Sequence, residues 1–341
     1  MRRPTRLGLA VAVLVVAVFG AYAAFWFVAA GRVEDGIGQF AQSLQAHNLD
    51  LSWHRVRVGG FPLAMRVELR EALLRDRATT PTTEVRVPLL SGSARLWNPL
   101  LWHVMAADGL TAARSLAGGA VAKLTTRAVS GSVAVAPEGG GTVWLTLSEP
   151  AIDASVHLAA RDADLWLILP PHLPQTHTEP AIGVALDVRG LSLPVAPAPF
   201  TNPLDEIALG VTVMGKIPTA EPREAASAWR DSGGTLELDH LALRWGTLGI
   251  TGSGTLALDP NLQPIGGFSG AIEGYGELMS ALVTAGRMRA GDARLARLAL
   301  GMLAKAGPDG RPEIATSFTI QNGEMYLGPV KLGKAPRIDW K

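Results

Sequence analysis

Short alternating segments are the feature that most constrains the fold of this chain. From Val56 onward, apolar residues recur at every second position in one segment after another, and most segments end at a glycine or proline. Alternation with a period of two places apolar side chains on one face of a strand. The chain also contains 38 glycines and 23 prolines, which interrupt helices and favour turns. We therefore predict a mainly β fold (β-rich α+β), with a long curved antiparallel sheet and a few packed helices.

The positions of the elements follow from the same pattern. A first hairpin turns at Gly59-Gly60-Phe61-Pro62. Further strands are predicted at 83–90, 121–129, 131–136, 142–148, 151–159, 163–169, 181–193, 205–214, 313–320 and 323–327. Three segments that open with Gly-Thr-Leu, at 234–239, 246–251 and 254–259, predict consecutive hairpins. Helices are predicted at 276–285 and 287–306, the second packing its apolar stripe on the sheet. Proline-rich 194–203 is a linker or long loop that could subdivide the region.

The N-terminal residues predict a membrane anchor. Arg2, Arg3 and Arg6 precede an uncharged run from Leu7 to Ala30. As a helix this run is about 36 Å long, enough for a hydrocarbon layer of about 30 Å. Basic residues on one side place the N-terminus in the cytoplasm, and Trp26 lies near the far interface, where aromatic rings are favoured.

This topology divides the chain into three regions. We expect a cytoplasmic N-terminus and transmembrane anchor at 1–30, a juxtamembrane helix at 31–48, and a β-rich periplasmic region at 49–341, on a single-pass bacterial inner-membrane protein. The alternative is a signal peptide cleaved near Ala21-Tyr22-Ala23, but the apolar run continues past that point. The helix at 33–44 has one apolar face, which continues from the anchor, lies on the membrane or packs on the domain.

Few residues suggest catalysis or metal binding. The 31 basic and 30 acidic residues remove the electrostatic case for nucleic-acid binding. The absence of cysteine excludes disulfides and thiolate chemistry. Ser253 lacks the Gly-x-Ser-x-Gly context of a hydrolase nucleophile. His172 and His177 lie near Glu179 in a proline-rich loop, but their spacing matches no rigid ligand set. We therefore predict that the protein has no metal site, binds no cofactor and is not an enzyme.

Three ordered motifs carry a family resemblance. They are Trp53-x-x-Val56-x-Val58-Gly59-Gly60-Phe61-Pro62, then Leu243-x-Trp245-Gly246-x-Leu248-x-Ile250, and finally Asn322-Gly323-x-x-Tyr326-Leu327-Gly328-Pro329. In this order they resemble the mainly alphaproteobacterial domain of unknown function 2125 family over nearly the whole chain. The resemblance implies an anchored envelope protein and supplies no catalytic residues. A looser architectural likeness links the chain to AsmA-type envelope proteins, whose strands form an open apolar groove that handles lipid.

Together these observations favour a non-enzymatic module that binds membrane lipid or another apolar ligand, or that scaffolds envelope proteins. The expected lining of its groove is the alternating set Leu236, Leu238, Leu248, Ile250, Leu256 and Leu258, with Trp245 beside it. Three alternatives stay open. These residues could form the closed core of a sandwich, the protein could be a hydrolase of envelope polymers or lipids, or the 33–44 helix could bind a membrane complex.

Overall fold

The computed structural model describes residues 4–46, 48–77, 82–116, 120–196, 200–218, 220–307, 311–328 and 330–340, with side chains from residue 17 onward except those at 299, 303, 330 and 332. These parts of the chain contain 21 strands and four helices. The chain forms two compact units, residues 1–133 and 134–341. The mainly β prediction is confirmed, because every strand pairing with a defined register is antiparallel and an N-terminal helix precedes the strands.

The first unit combines one long helix with short and long strands. In chain order its elements are α1 (Pro4–Gln45), β1 (Leu49–Ser52), β2 (Arg55–Gly59), β3 (Ala64–Asp76), β4 (Thr83–Arg95), β5 (Asn98–Ala106), β6 (Thr111–Ser115), β7 (Val121–Thr125) and β8 (Ala128–Val135), which crosses into the second unit. β3 pairs with β1 and β2 on one side and with β4 on the other. β4 pairs in turn with β5 and β6, at different positions along its length.

Helix α1 covers the apolar face of this sheet. Trp26 and Ala30 contact Met65, and Val33 and Ile37 contact the apolar side chains that follow Met65 on β3. The predicted helix at 31–48 is therefore the C-terminal part of α1, which ends at Gln45. Its apolar face packs on the sheet of its own unit, and the helix also continues without a break from the N-terminal run.

The second unit consists mainly of one long antiparallel ladder. Its elements are β9 (Gly141–Ser148), β10 (Ala151–Asp153), β11 (His157–Ala159), β12 (Asp162–Leu169), β13 (Pro180–Leu191), β14 (Leu204–Met214), α2 (Pro222–Asp231), β15 (Thr235–Trp245), β16 (Leu248–Leu258), β17 (Pro264–Glu273), α3 (Tyr275–Thr284), α4 (Ala290–Leu303), β18 (Lys305–Ala306), β19 (Pro312–Gln321), β20 (Glu324–Leu327) and β21 (Val330–Lys334). Ten strands pair side by side in the order β9, β12, β13, β14, β15, β16, β17, β19, β20, β21.

Some sequence predictions for this unit need correction. The Gly-Thr-Leu segments at 246–251 and 254–259 do not start separate strands, because both belong to β16 and its preceding turn. Gly246 is in the left-handed region with φ +59°, as a tight turn between β15 and β16 requires. The segment at 194–203 lies inside the second unit between β13 and β14, and residues 197–199 are outside the described part. The strand predicted at 151–159 is a hairpin of β10 and β11, and the helix predicted at 287–306 ends at Leu303, before β18. Helix α2 and strands β17 and β21 were not predicted.

Candidate functional site

One face of the ladder in the second unit is apolar from strand to strand. Directly opposed residues of antiparallel strands project to the same side of a sheet. The register therefore defines rows of neighbouring side chains that run across the strands. One such row is Leu147, Ala163, Val188, Ile207, Leu243, Ile250, Ile272 and Ile314. A second is Val143, Leu167, Val184, Val211, Leu238, Gly254, Phe268, Phe318 and Leu327. No member of either row is polar.

The opposite face of the same strands is polar. Its corresponding row is Ser148, Asp162, Arg189, Glu206, Arg244, Gly249, Glu273 and Glu313. On this side the Arg189 guanidinium donates to carboxylate oxygens of Asp164 at 2.6 Å and of Asp187 at 3.2 Å. These carboxylates hold the pKa of Arg189 above its ordinary value. One face of the sheet carries apolar side chains and the other carries charged and polar ones, so the sheet is amphipathic across its width.

The apolar face is open in its middle. A concavity of about 340 Å³ lies over β15, β16, β17, β19 and β20, and every residue that lines it belongs to these strands. Its walls are Leu238, Leu241, Ile250, Phe268 and Phe318, all half-buried. Gly252 and Gly270 pair directly and leave a notch without side chains at its floor. Ligand cavities generally have volumes of about 300–1,000 Å³ and mostly apolar walls, so this concavity is large enough for part of an apolar molecule.

Helices contact the sheet near the ends of these strands. In α2, Ala226 and Trp229 form a cluster with Leu258, the last residue of β16, and with Trp340. The Trp229 indole N–H donates to the carbonyl of Met214 at 2.8 Å, which fixes the helix against the end of β14. Helices α3 and α4 contact β16 and β19. The lining of the concavity, however, includes no helical residue.

Helix α4 differs from its prediction. The expected apolar stripe was to pack on the sheet, but Leu295, Leu298 and Met302 are all exposed. Among the side chains of this helix that the structure describes, that of Ala293 is buried. The Arg297 side chain donates to the carbonyl of Gly276 in α3. The prediction of a helix is confirmed, but the prediction of which side of the helix faces the protein was wrong.

The structure places the seven predicted lining residues on one face of the sheet. Leu238 and Ile250 line the concavity, and Leu236 pairs with Leu256 in the next row of the same face. Leu248 and Leu258 lie on the same face but are buried at the two ends of β16. Trp245 stacks on Phe200 with ring centroids 4.6 Å apart and donates to the carbonyl of Thr201, so its indole holds the loop before β14.

Several lining residues escaped the sequence analysis. A register shift in the pairing of β15 with β16 falls between Leu238 and Leu241, and this shift keeps Leu241 on the apolar face. Without the shift, strict alternation would place Leu241 on the polar face. Phe268 lies on β17, whose glycines weaken the strand signal. The alternation of Ile314, Thr316 and Phe318 was visible, but nothing local placed that strand beside β17.

The polar candidates from the sequence, Glu179 and Ser253, lie in different parts of the second unit, in the loop before β13 and in β16. The Glu179 carboxylate accepts hydrogen bonds from the backbone N–H of Gln175 and the hydroxyl of Thr176, which lower its pKa and fold its own loop. Among the described residues, no group of three or more histidine, aspartate or glutamate side chains could hold a metal ion. Ser253 lies mid-strand on the exposed polar face of β16, between Ser269 of β17 and the shifted stretch of β15 that contains Asp239 and His240.

The first unit has a second apolar space and a buried aromatic. Trp26 is only 3% exposed, and its indole N–H donates to the carbonyl of Ala64 at 3.2 Å. A space of about 490 Å³ lies between α1 and the sheet, lined by Ile37, Phe40 and Trp102 among others. Trp97, just before β5, and Leu100, near its start, are exposed.

The anchor prediction concerns residues at the edge of the described region. Arg2 and Arg3 lie outside the described residues, as does the side chain of Arg6. Within the described part of the chain, no helix combines the length and apolar character needed to cross a membrane.

Fold and site together define a β-rich protein with an amphipathic antiparallel ladder whose apolar face is open. The profile of the family described as an uncharacterized protein conserved in bacteria (DUF2125) matches residues 26–336, and the chain belongs to this family. The resemblance based on the three motifs is thus confirmed. Neither a curated protein nor a solved structure matches the chain.

Proposed function

We propose that this protein is anchored in the bacterial inner membrane and binds the acyl part of a lipid on the open apolar face of its second unit, without catalysing a reaction. The observation that supports this most is the concavity of about 340 Å³, surrounded by uninterrupted apolar rows and lined only by strands. The anchor is the run from Leu7 to Ala30 with its preceding arginines, which orients the N-terminus to the cytoplasm and the strands to the periplasm.

The chemistry of the lining selects the class of ligand. Among the residues that line the concavity, Thr316 is the one whose polar side chain belongs to the apolar face, because Thr251 and Ser269 alternate with Ile250 and Phe268 and project to the opposite face. A charged or strongly hydrogen-bonding ligand would lose water there without compensation. An acyl chain needs no partners, and each square ångström of apolar surface that it removes from water contributes about 25 cal/mol. A lipid headgroup can remain outside, in contact with water.

Photocrosslinking tests this proposal on the full chain. The protein is reconstituted in vesicles of phosphatidylethanolamine and phosphatidylglycerol that contain a phospholipid with a diazirine on its acyl chain. After irradiation, we expect lipid adducts on peptides that contain Leu238, Ile250 and Phe268, in addition to adducts on the N-terminal run. The N-terminal adducts report anchoring separately from groove binding.

A pair of glutamate variants gives the control. Ile250→Glu places a carboxylate in the wall of the concavity, whereas Ser253→Glu places one on the opposite face of the same strand. Desolvating a carboxylate costs several kcal/mol and about 1.4 kcal/mol is a factor of ten, so Ile250→Glu should reduce the groove adducts by about tenfold or more. Ser253→Glu should leave them unchanged. Adducts confined to the N-terminal run, or equally reduced in both variants, would contradict the proposal.

A further inference from the structure

Two hairpin tips lie together at one end of the first unit's sheet. The β2–β3 turn contains Phe61, Pro62 and Leu63, and the β4–β5 turn contains Trp97. Ala64, at the start of β3, pairs with Arg95, at the end of β4, so the register brings both turns to the same end of the sheet. A Cβ on Gly60, at φ +102°, would approach the carbonyl oxygen of Ala64 at 2.7 Å, so this turn requires glycine.

The β2–β3 turn is held against helix α1. The Phe61 ring lies among four aromatic rings of the helix, with centroid distances of 5.9 Å to Phe19, 6.2 Å to Tyr22, 5.6 Å to Trp26 and 6.0 Å to Phe27. The Tyr22 hydroxyl donates to the carbonyl of Pro62. These contacts fix the tip at one height along the helix.

The outward side of this end is strongly apolar. Leu63 is 63% exposed and Trp97 is 66% exposed, and Phe19, Phe25 and Phe27 are exposed on the helix beside them. Arg95 lies over the Trp97 ring at 5.7 Å. Exposed apolar side chains gathered in one place mark a contact surface, and a tryptophan with an arginine beside it suits the boundary between hydrocarbon and headgroups.

The length of helix α1 between Arg6 and Trp26 can be compared with the thickness of a lipid bilayer. Arg6 and Trp26 are 20 residues apart in one helix, which is a rise of about 30 Å, the thickness of a hydrocarbon layer. With Arg6 at the inner boundary, Trp26 and the Phe61 tip lie at the outer boundary, and Phe19 lies about 10 Å inside it. The exposed side chains of both tips are therefore at the level of the outer leaflet.

We propose that this end of the first unit, formed by the tips at 61–63 and 96–100, docks on the lipid bilayer that holds α1. The inference rests on the anchoring part of the proposed function and is independent of the groove in the second unit. The docked tips add contacts beyond those of the helix and orient the first unit relative to the membrane surface.

The absence of cysteine allows a direct test. Leu63→Cys is labelled with nitrobenzoxadiazole in the full chain, and the matched control is Leu116→Cys, an exposed leucine after β6. Arg114 of β6 pairs with Thr83, which pairs with Asp76, so Leu116 lies at the opposite end of the same sheet. The length of β3 separates the two sites by about 40 Å.

Both labelled proteins are reconstituted in vesicles of phosphatidylethanolamine and phosphatidylglycerol, with and without a phospholipid carrying a nitroxide near the start of its acyl chain. We expect the label at 63 to emit at shorter wavelength and to lose most of its fluorescence to the nitroxide, whereas the label at 116 keeps its fluorescence. A label on Trp97→Cys should behave as the label at 63 does.

Two outcomes would overturn the inference, and flotation distinguishes them. If the protein floats with the vesicles but the labels at 63 and 97 are quenched no more than the label at 116, the tips do not contact lipid, and a protein partner becomes the better explanation of the patch. If the protein does not float with the vesicles, the proposed anchoring fails and the docking fails with it.

Discussion

Alanine substitution of Leu258 and of Leu238 distinguishes a covered core from an open apolar face. Both leucines belong to the apolar face of the second unit, one on β16 and the other on β15. Leu258 is 8% exposed and packs under α2 with Ala226 and Trp229. Leu238 is half-buried and already borders the concavity. The same chemical change therefore tests two environments on one sheet.

The expected costs follow from burial and from the space that each substitution leaves. Truncating a buried leucine to alanine costs about 2–5 kcal/mol, because transfer and a new cavity both contribute. For Leu258 we expect about 3 kcal/mol. Leu238→Ala removes a side chain that is partly in contact with water and enlarges a space that is already open, so we expect about 1 kcal/mol. The difference of about 2 kcal/mol corresponds to a roughly 30-fold difference in the opening equilibrium.

Hydrogen exchange measured by mass spectrometry reports these costs strand by strand. Peptides covering β15 and β16 give the free energy of opening of the affected strands without requiring the two units to unfold together. Comparable losses of about 3 kcal/mol for both variants would show that Leu238 is sealed in a closed core. The open face, and with it the proposed acyl-chain site, would then be refuted.

Two further predictions concern charged groups on the second unit. Arg189→Gln should destabilise β12 and β13 by about 1–3 kcal/mol, because Asp164 is 6% exposed and loses its charged partner while it keeps the hydroxyl of Thr146. The 39% exposure of the Arg189 side chain keeps the cost below that of a fully buried pair. The control Arg161→Gln, on an exposed pair, should change exchange little, and equal effects would contradict the assignment. The Lys331 ammonium donates to the Glu324 carboxylate and lowers the pKa of that carboxylate below its ordinary value of 4.5. The ionised carboxylate therefore stabilises the pairing of β20 with β21 above pH 4.5, and this stabilisation is lost as the pH falls through the lowered pKa. Exchange of β20 amides, corrected for its intrinsic pH dependence, should accelerate below about pH 4.5, and Glu324→Gln should remove most of this acceleration; an unchanged pH profile in the variant would contradict it.

Much of the second unit could be predicted because a strand records its environment locally. Leu236, Leu238, Ile250 and Leu256 alternate with polar or small residues, and this alternation alone placed them on one face. Strand β17 was missed because its glycines carry no side chain to show the alternation. One of those glycines, Gly270, forms the floor of the concavity together with Gly252 of β16, so the strand signal was weak at the open part of the site.

Other features depended on contacts between distant segments. The apolar period of α4 was visible, but the side that faces the protein depends on how α3 and α4 cross, which local spacing does not encode. Leu241 belongs to the concavity only because a register shift between β15 and β16 turns it to the apolar side. Such shifts depend on how two strands match along their whole length.

The sequence by itself determined most of the strands and most of the side chains on them that avoid water, because alternation and turn residues act over a few positions. Only the tertiary structure decided what lies against those apolar side chains. Trp26 illustrates the reason: a lipid interface and a protein interior are both apolar, so one residue type suits either. The structure places Trp26 against Met65 and the Ala64 carbonyl, while it leaves Leu238 and Phe268 beside an open space.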